Sequence, residues 1–302
     1  MQSDFQNTAT ATPPYVIITP VRNEEATLPR TIESVASQTV LPSEWVIVDD
    51  GSTDNTKTIL REIPKNFPWI QIIGLPDRGH RKPGAGVMEA FHHGFRSLRQ
   101  KDWEFLAKLD ADLSFEPDYF QRCLEHFLRE PALGIAGGRV YRRSKDGIAV
   151  DSPNDPPFHV RGAVKIYRRK CWEAIQPLPQ LPGWDTIDEV RANYLGWKTR
   201  TFNELTVIQE KPTGSADGAI RNWIKNGQAN YFTGYHPLFM FCKTLARVPR
   251  PPILVGAICL LLGYFLAAVR RLPHALDRHT VRYFRQQQLN YLLCRESIYR
   301  GG

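Results

Sequence analysis

Cysteine is scarce in this 302-residue chain and poorly placed for joint chemistry. Cys123, Cys171, Cys242, Cys259 and Cys294 are five in number, far apart and free of any metal-type pair. That excludes a disulfide framework and a cysteine zinc site, and it implies free thiols in a reducing compartment. A long apolar run is missing too. Ile253 to Val269 is apolar and uncharged but only 17 residues long, about 25 Å as a helix against a hydrocarbon core of about 30 Å. Met1 to Thr12 is polar and lacks the apolar centre of a signal peptide. There is no internal repeat beyond strand-helix alternation, no low-complexity tract and no nucleic-acid motif.

Positive charge, by contrast, is plentiful. Lys and Arg total 39 against 31 Asp and Glu. The excess gathers at Arg139, Arg142, Arg143 and Lys145, at Lys165, Arg168, Arg169 and Lys170, and in seven arginines from Arg270 onward. With no nucleic-acid motif beside them, such clusters point to anionic lipid or a phosphorylated acceptor. His92 and His93 are adjacent, and neighbours on a helix point about 100° apart and do not easily share one ion, so both are expected at the surface.

A hydrophobic share of 42% is ample for one large domain and an appendage. Tyr15 to Thr19 reads as a buried strand between prolines, followed by the polar turn Val21-Arg22-Asn23-Glu24-Glu25 and a helix from about Thr27 to Gln38. The unit repeats: Glu44 to Val48 is a second strand, Asp49-Asp50-Gly51-Ser52 its turn, and a helix begins near Asp54 to Thr56. Trp69 to Gly74 supplies a third strand. Val87, Phe91, Phe95 and Leu98 form a helical stripe, and Trp103 to Leu109 is a fourth strand closed by Asp110-Ala111-Asp112. Alternation of this kind predicts an α/β fold with a mostly parallel sheet and ligands beyond the carboxyl ends of its strands. Two carboxylates one residue apart at such an end suit Mg²⁺ or Mn²⁺ held jointly with substrate phosphates. The basic turn Arg78 to Gly86, just before a helix, can face phosphate oxygens.

These motifs together resemble the family 2 glycosyltransferases, whose nucleotide-sugar-binding domain is the GT-A fold. The resemblance rests on Thr19 to Glu24, Val48 to Asp54, Gly84-Ala85-Gly86, Leu109 to Asp112 and Gly183-Trp184-Asp185, and it covers about residues 14–235. It implies a polar tail at 1–13, a GT-A domain at 14–235 and a helical, membrane-associated region at 236–302 containing the apolar run 253–269. It further implies nucleotide contacts at Pro20, Arg22, Glu24, Asp50, Ser52, Gly84, Gly86 and Asp110. Asp112 is the expected ligand of Mn²⁺ or Mg²⁺, with Asp110 and Glu210 as further candidates. Asp50 and Ser52 are also good helix caps by residue type.

The family's acceptor-side helix matches Leu181 to Trp197, and its spacing of Asp, Arg and Gly selects Asp185, Arg191 and Gly196. Asp185 is the expected base. Trp184 stands where the family commonly has an acid, and Asp188 remains a rival, because positions 185, 188 and 189 share one helix face. Relatives often carry His-His-Arg before Pro-Thr-Gly, whereas this chain has Gln209-Glu210-Lys211. Trp184, Arg191 and Trp223 are the acceptor-side candidates.

The implied reaction is inverting transfer from a nucleoside-diphosphate sugar, UDP favoured over GDP, to a hydroxyl on a glycan or lipid-linked acceptor in polysaccharide synthesis. A polyprenyl-phosphate glycosyltransferase and an inactive nucleotide-sugar-binding membrane protein are the alternatives. A nucleotidyltransferase would carry a Gly-rich basic turn after its first strand, which this chain lacks. Arginines after the apolar run outnumber the cations before it, so a single span would keep the wrong side cytoplasmic. An interfacial or re-entrant helix at the cytoplasmic face of the membrane is therefore expected.

Overall fold

A computed structural model describes residues 12–79, 85–144, 147–211, 218–250 and 252–301. Its first half alternates as the sequence pattern requires: β1 (Tyr15–Val21), α1 (Leu28–Ala36), β2 (Glu44–Asp49), α2 (Thr56–Asn66), β3 (Ile70–Gly74), α3 (Ala85–Arg96) and β4 (Phe105–Leu109). Next come β5 (Leu113–Phe115), α4 (Tyr119–Arg129), β6 (Leu133–Ser144), β7 (Gly147–Val150), β8 (Val164–Arg168), α5 (Arg169–Ala174), α6 (Trp184–Tyr194) and β9 (Lys198–Gln209). Four helices follow: α7 (Ala219–Thr233), α8 (Pro237–Arg247), α9 (Val255–Val269) and α10 (Arg278–Leu292).

The central strands are apolar throughout because both of their faces are covered. Tyr15, Ile17, Trp45 and Ile47 join Leu28, Leu60 and Phe120 in one core layer. Val16, Ile18, Val46 and Val48 join Met88, Phe91 and Trp172 in the layer opposite. Side chains alternate along a strand, so an unbroken apolar run is what a doubly covered strand needs.

The strand order is β3-β2-β1-β4-β8-β6-β9-β5, with β7 paired to β6. The expectation of a mostly parallel sheet holds for β3, β2, β1 and β4, and β6 pairs in parallel with β9 as well. β8 runs antiparallel to both β4 and β6, and β5 is antiparallel to β9, so the sheet as a whole is mixed. Parallel return needs a crossover, usually a helix; no helix lies between β6 and β8 among the described residues.

A third core layer joins Phe158, Ile187 and Val190 to Tyr235, Phe239, Leu260, Tyr264 and Phe284. Gly234, at φ +87°, ends α7, and Pro237 opens α8. The chain therefore turns where the domain break is expected, but apolar packing continues across the turn. α9 has 15 residues, about 22 Å of helix. No helix among the described residues is long and apolar enough to cross a membrane.

Candidate active site

β1, β2 and β4 are parallel neighbours, so their carboxyl ends open on one edge, where ligands of such sheets collect. The turns after β1 and β2 are laced together. The Asn23 amide donates to Ser52 Oγ at 3.0 Å, Asn23 Oδ1 accepts from the Thr53 amide at 2.7 Å, and the Glu24 amide donates to Thr56 Oγ1 at 2.9 Å. Ser52 is thereby spent on the β1 turn. Before α2, Asp54 Oδ1 accepts from the Thr56 amide at 3.0 Å, while the N-cap is Asn55, so neither Asp50 nor Ser52 caps the helix. Gly51 sits at φ +73°, where a Cβ would lie 2.5 Å from the Asp77 Cα. Only glycine serves there.

Arg22 reaches from the end of β1 to the Asp50 carbonyl, and to Asp77 Oδ1 at 2.8 Å. Arg78 pairs with the Asp50 carboxylate and, at 2.9 Å, with Glu89 on α3. Burial pushes the Asp50 carboxyl above the usual carboxylate range, against the pull of Arg78 and Arg22. The predicted carboxylate and both arginines thus share the mouth of the cleft.

Asp110 and Asp112 follow β4. Lys108, itself buried in that strand, bonds Asp110 Oδ1 and the Gly162 carbonyl. Asp112 accepts from Gln209 Nε2 at 3.2 Å, and its carbonyl accepts from the Glu210 amide at 3.0 Å. Across the cleft Glu24 pairs with Lys211 Nζ at 2.6 Å and accepts from Thr27 Oγ1 at 2.6 Å. Burial pushes the Asp112 carboxyl up to about 7, and the charges of Asp110 and Glu24 push the same way, against Gln209 and Lys211. A buried carboxyl whose ionised form is disfavoured by burial and by neighbouring negative charge fits a divalent cation. Among the described residues no group of three His, Cys, Asp or Glu side chains could hold an ion. Asp112 with Asp110 fits the case in which substrate phosphates and water complete the shell.

Asp185 borders the same cleft from α6. A Cβ on Gly162 would come 3.2 Å from Asp185 Oδ2, and the Gly162 carbonyl is the one bonded by Lys108. Gly162 thus neighbours Asp185 on one side and, through the Lys108 ammonium bonded to its carbonyl, Asp110 on the other. Burial works to raise the Asp185 pKa, but the charges of His159, Lys165 and Arg161 outweigh it and hold the carboxyl below its ordinary range. It is ionised at neutral pH, as a proton acceptor must be.

The rival Asp188 is turned the other way. Asp188 and Glu189 are fully buried, as is Lys165, whose Nζ lies 2.7 Å from each carboxylate. Asp188 also accepts from Tyr167 OH at 2.6 Å, and Glu189 pairs with His159 Nδ1 at 2.8 Å. The expected shared face of 185, 188 and 189 therefore splits: Asp185 borders the cleft and the other two anchor α6 to β8. Lys165 Nζ further bonds the Asp185 carbonyl, fixing the first turn of α6.

Other expectations are displaced as well. Glu210 points away from Asp112 and pairs with Arg30 at 2.6 Å and Arg143 at 3.2 Å, because two arginines outbid a site that already holds negative charge. The Trp184 indole is buried beside Lys108 and Lys165, whose ammonium groups lie 5.4 and 5.5 Å from its ring centre. Trp223 is covered by Arg247, 3.8 Å from its ring centre, and packs into the third core layer. Arg191 donates to the Pro177 carbonyl at 3.3 Å. Pro20 lies in β1, opposite Val48 of β2. Gly86 is buried in the first turn of α3, while Gly84 and Lys145 lie outside the described residues. The cluster Lys165 to Lys170 is no open patch, since Arg168 is spent on the Leu133 carbonyl and Arg169 on Glu173. His92 is half-buried against Trp172 rather than at the surface. Sequence reasoning does not single out Lys108 or His159, and it takes in Lys165 and Gln209 only as parts of a basic cluster and of the Gln209-Glu210-Lys211 departure. Lys108 and Lys165 carry the same signal, a lysine inside a buried strand.

The fold is an α/β sheet with acidic turns at the carboxyl ends of its parallel strands. Residues 16–175, just over half of the chain, match the family described as Glycosyl transferase family 2, and the chain belongs to that family. A chondroitin synthase of Pasteurella multocida is 30% identical over 143 residues, 47% of this chain and 14% of that protein. A poly-beta-1,6-N-acetyl-D-glucosamine synthase of Staphylococcus epidermidis is 30% identical over 128 residues, 42% of this chain and 28% of that protein. The matched stretch is thus well under a third of these relatives. Among solved structures, a mannosyltransferase of Pyrobaculum calidifontis in complex with GDP-Man and Mn²⁺ superposes with a TM-score of 0.57 at 16% identity, covering 95% of this chain and 89% of its own. GalNAc-T7 with UDP, GalNAc and Mn²⁺ gives 0.64 at 12% identity, covering 94% and 58%. At these identities the likeness concerns the fold, a GT-A-like α/β arrangement.

Proposed function

We propose that this chain transfers a sugar from a nucleoside-diphosphate donor to a hydroxyl acceptor with inversion, in the synthesis of a polysaccharide. The observation that carries this reading is the contrast between two acid environments, that of Asp112 after β4 and that of Asp185 at the start of α6. Burial and the charges of Asp110 and Glu24 push the Asp112 carboxyl up to about 7, whereas the charges of His159, Lys165 and Arg161 outweigh burial at Asp185 and hold its carboxyl low. The first suits a cation and diphosphate; the second suits a base.

Arg22 and Arg78 frame the nucleotide end of the cleft around Asp50, while Asp110 and Asp112 face the diphosphate. A bound Mn²⁺ or Mg²⁺ would offset the charge developing on the departing diphosphate. Asp185 takes the proton of the acceptor hydroxyl as that oxygen bonds to the anomeric carbon. The bond from that carbon to the diphosphate oxygen breaks in the same displacement, and the nucleoside diphosphate leaves with the electron pair. UDP is the favoured nucleotide and GDP the second choice. Solved neighbours bound to UDP-GlcNAc, or to GDP-Man with Mn²⁺, support both the donor class and the cation.

A polyprenyl-phosphate acceptor is the second reading, favoured by the exposed apolar side chains of α8 and α9. Calorimetry with UDP, GDP, CDP and dTDP, with and without Mn²⁺, on the intact chain and on Asp112→Asn tests the donor site. Cation-dependent binding of one nucleotide, lost in the variant, is expected. Binding of none of the four would overturn the reading, and binding without turnover of any sugar conjugate would replace catalysis by a purely binding role.

A further inference from the structure

α9 shows two faces of different character. Its inner face, with Ala257, Leu260, Gly263 and Tyr264, is buried. The contact with α7 is backbone to backbone: a Cβ on Gly263 would lie 2.1 Å from the Ile224 carbonyl oxygen, and one on Gly227 would lie 2.0 Å from that of Leu260. Its outer face exposes Ile258, Leu262, Phe265 and Val269, spaced four, three and four residues apart, with Val269 79% exposed. On α8, which packs against α9, Leu238, Phe241 and Leu245 form a second exposed stripe at spacings of three and four. The connection between the two helices exposes Ile253 and Leu254 as well. Exposed apolar side chains scattered singly need no explanation, whereas two stripes on adjoining helices do.

Charge decides what covers them. No Asp or Glu occurs between Asp217 and Asp277, while seven Lys and Arg do. Exposed Arg250 precedes α9, and exposed Arg270 and Arg271 follow it. A second copy of the chain seated on this face would set cations against cations. An anionic lipid surface meets both requirements at once, accepting the apolar stripes among its acyl chains and the arginines among its phosphates.

We propose that α8 and α9 seat the protein on an anionic membrane in the plane of the interface, without crossing it. The glycine contacts hold the inner face of α9 on α7, so only the outer face is free to enter lipid. α7 in turn supports the site: Gly183, the residue before α6, has Ala229 and Thr233 of α7 as its neighbours. The helix bearing Asp185 and the apolar face are thus opposite sides of one helical stack. This inference stands on the surface alone and does not rest on the transfer reaction.

Cosedimentation of the intact chain with phosphatidylcholine vesicles, plain or mixed with phosphatidylglycerol, at low and high salt tests it. Binding to the mixed vesicles that weakens with salt is expected. Arg270→Gln with Arg271→Gln should weaken that binding about 25-fold, from about fivefold for each cation near an anionic surface. Ile258→Glu with Phe265→Glu should abolish it. Far-ultraviolet circular dichroism, expected to be unchanged, checks that each variant is folded. Absence of binding to mixed vesicles, or undiminished binding by the folded glutamate variant, would overturn the proposal. So would a stable dimer in solution that the glutamate variant dissociates, because the face would then belong to a second copy.

Discussion

Lowering the pH from 8 to 6 should weaken cation-assisted binding of the donor by about tenfold. The carboxyl of Asp112 is pushed up to about 7 by burial, and by the charges of Asp110 and Glu24. For such an acid the ionised fraction falls from about nine-tenths at pH 8 to about one-tenth at pH 6. A metal-ligating carboxylate must be ionised, so apparent affinity follows that fraction and drops as the pH drops. An ordinary surface carboxylate titrating near 4 would leave this window flat, so the presence of a slope between pH 6 and 8 is what distinguishes Asp112. The donor for the assay is a nucleoside-diphosphate sugar, which lacks the terminal phosphate that titrates near 6 in a free diphosphate. Calorimetry with UDP-GlcNAc and Mn²⁺ at pH 6, 7 and 8, repeated on Asp112→Asn, reads the effect. Affinity unchanged across the window, or an equal slope in the variant, would refute the assignment of the cation to Asp112.

Three further outcomes are expected. Asp185→Asn should lower kcat by about a hundred- to ten-thousand-fold while leaving donor affinity within a few-fold, read by product formation and calorimetry; an equal loss of both would place Asp185 in donor binding instead. Lys165→Met leaves Asp188 and Glu189 buried without their ammonium partner and should cost about 3–5 kcal/mol in urea unfolding. A loss under about 1 kcal/mol would show that solvent reaches the pair. Gly263→Ala forces apart helices whose backbones touch and should cost about 1–3 kcal/mol in the same assay, and no loss would mean that α9 lifts freely from α7.

The strand-helix alternation of residues 15–109 is legible in the sequence, as are the acidic turns that end β1, β2 and β4. Two-residue alternation between core layers, helical stripes and turn residues are local signals, and parallel neighbours necessarily bring their carboxyl ends to one edge. Asp50, Asp110 and Asp112 fall on that edge for this reason. The direction of β8 was not legible, because no local pattern records whether a strand returns parallel or antiparallel.

What the sequence by itself determined is therefore the family, the sheet edge and the acids that reach it. What only the tertiary structure decided is how each charge is used. Asp185 and Asp188 are three residues apart on one helix, and nothing local distinguishes them. Lys165, 23 residues before Asp188 in the chain, draws Asp188 into the core and leaves Asp185 at the cleft. Gln209, 97 residues from Asp112, supplies that carboxylate's side-chain hydrogen bond, while Arg30 and Arg143 turn Glu210 aside. A buried charge is tolerable only beside its partner, and these partners meet only once the chain is folded.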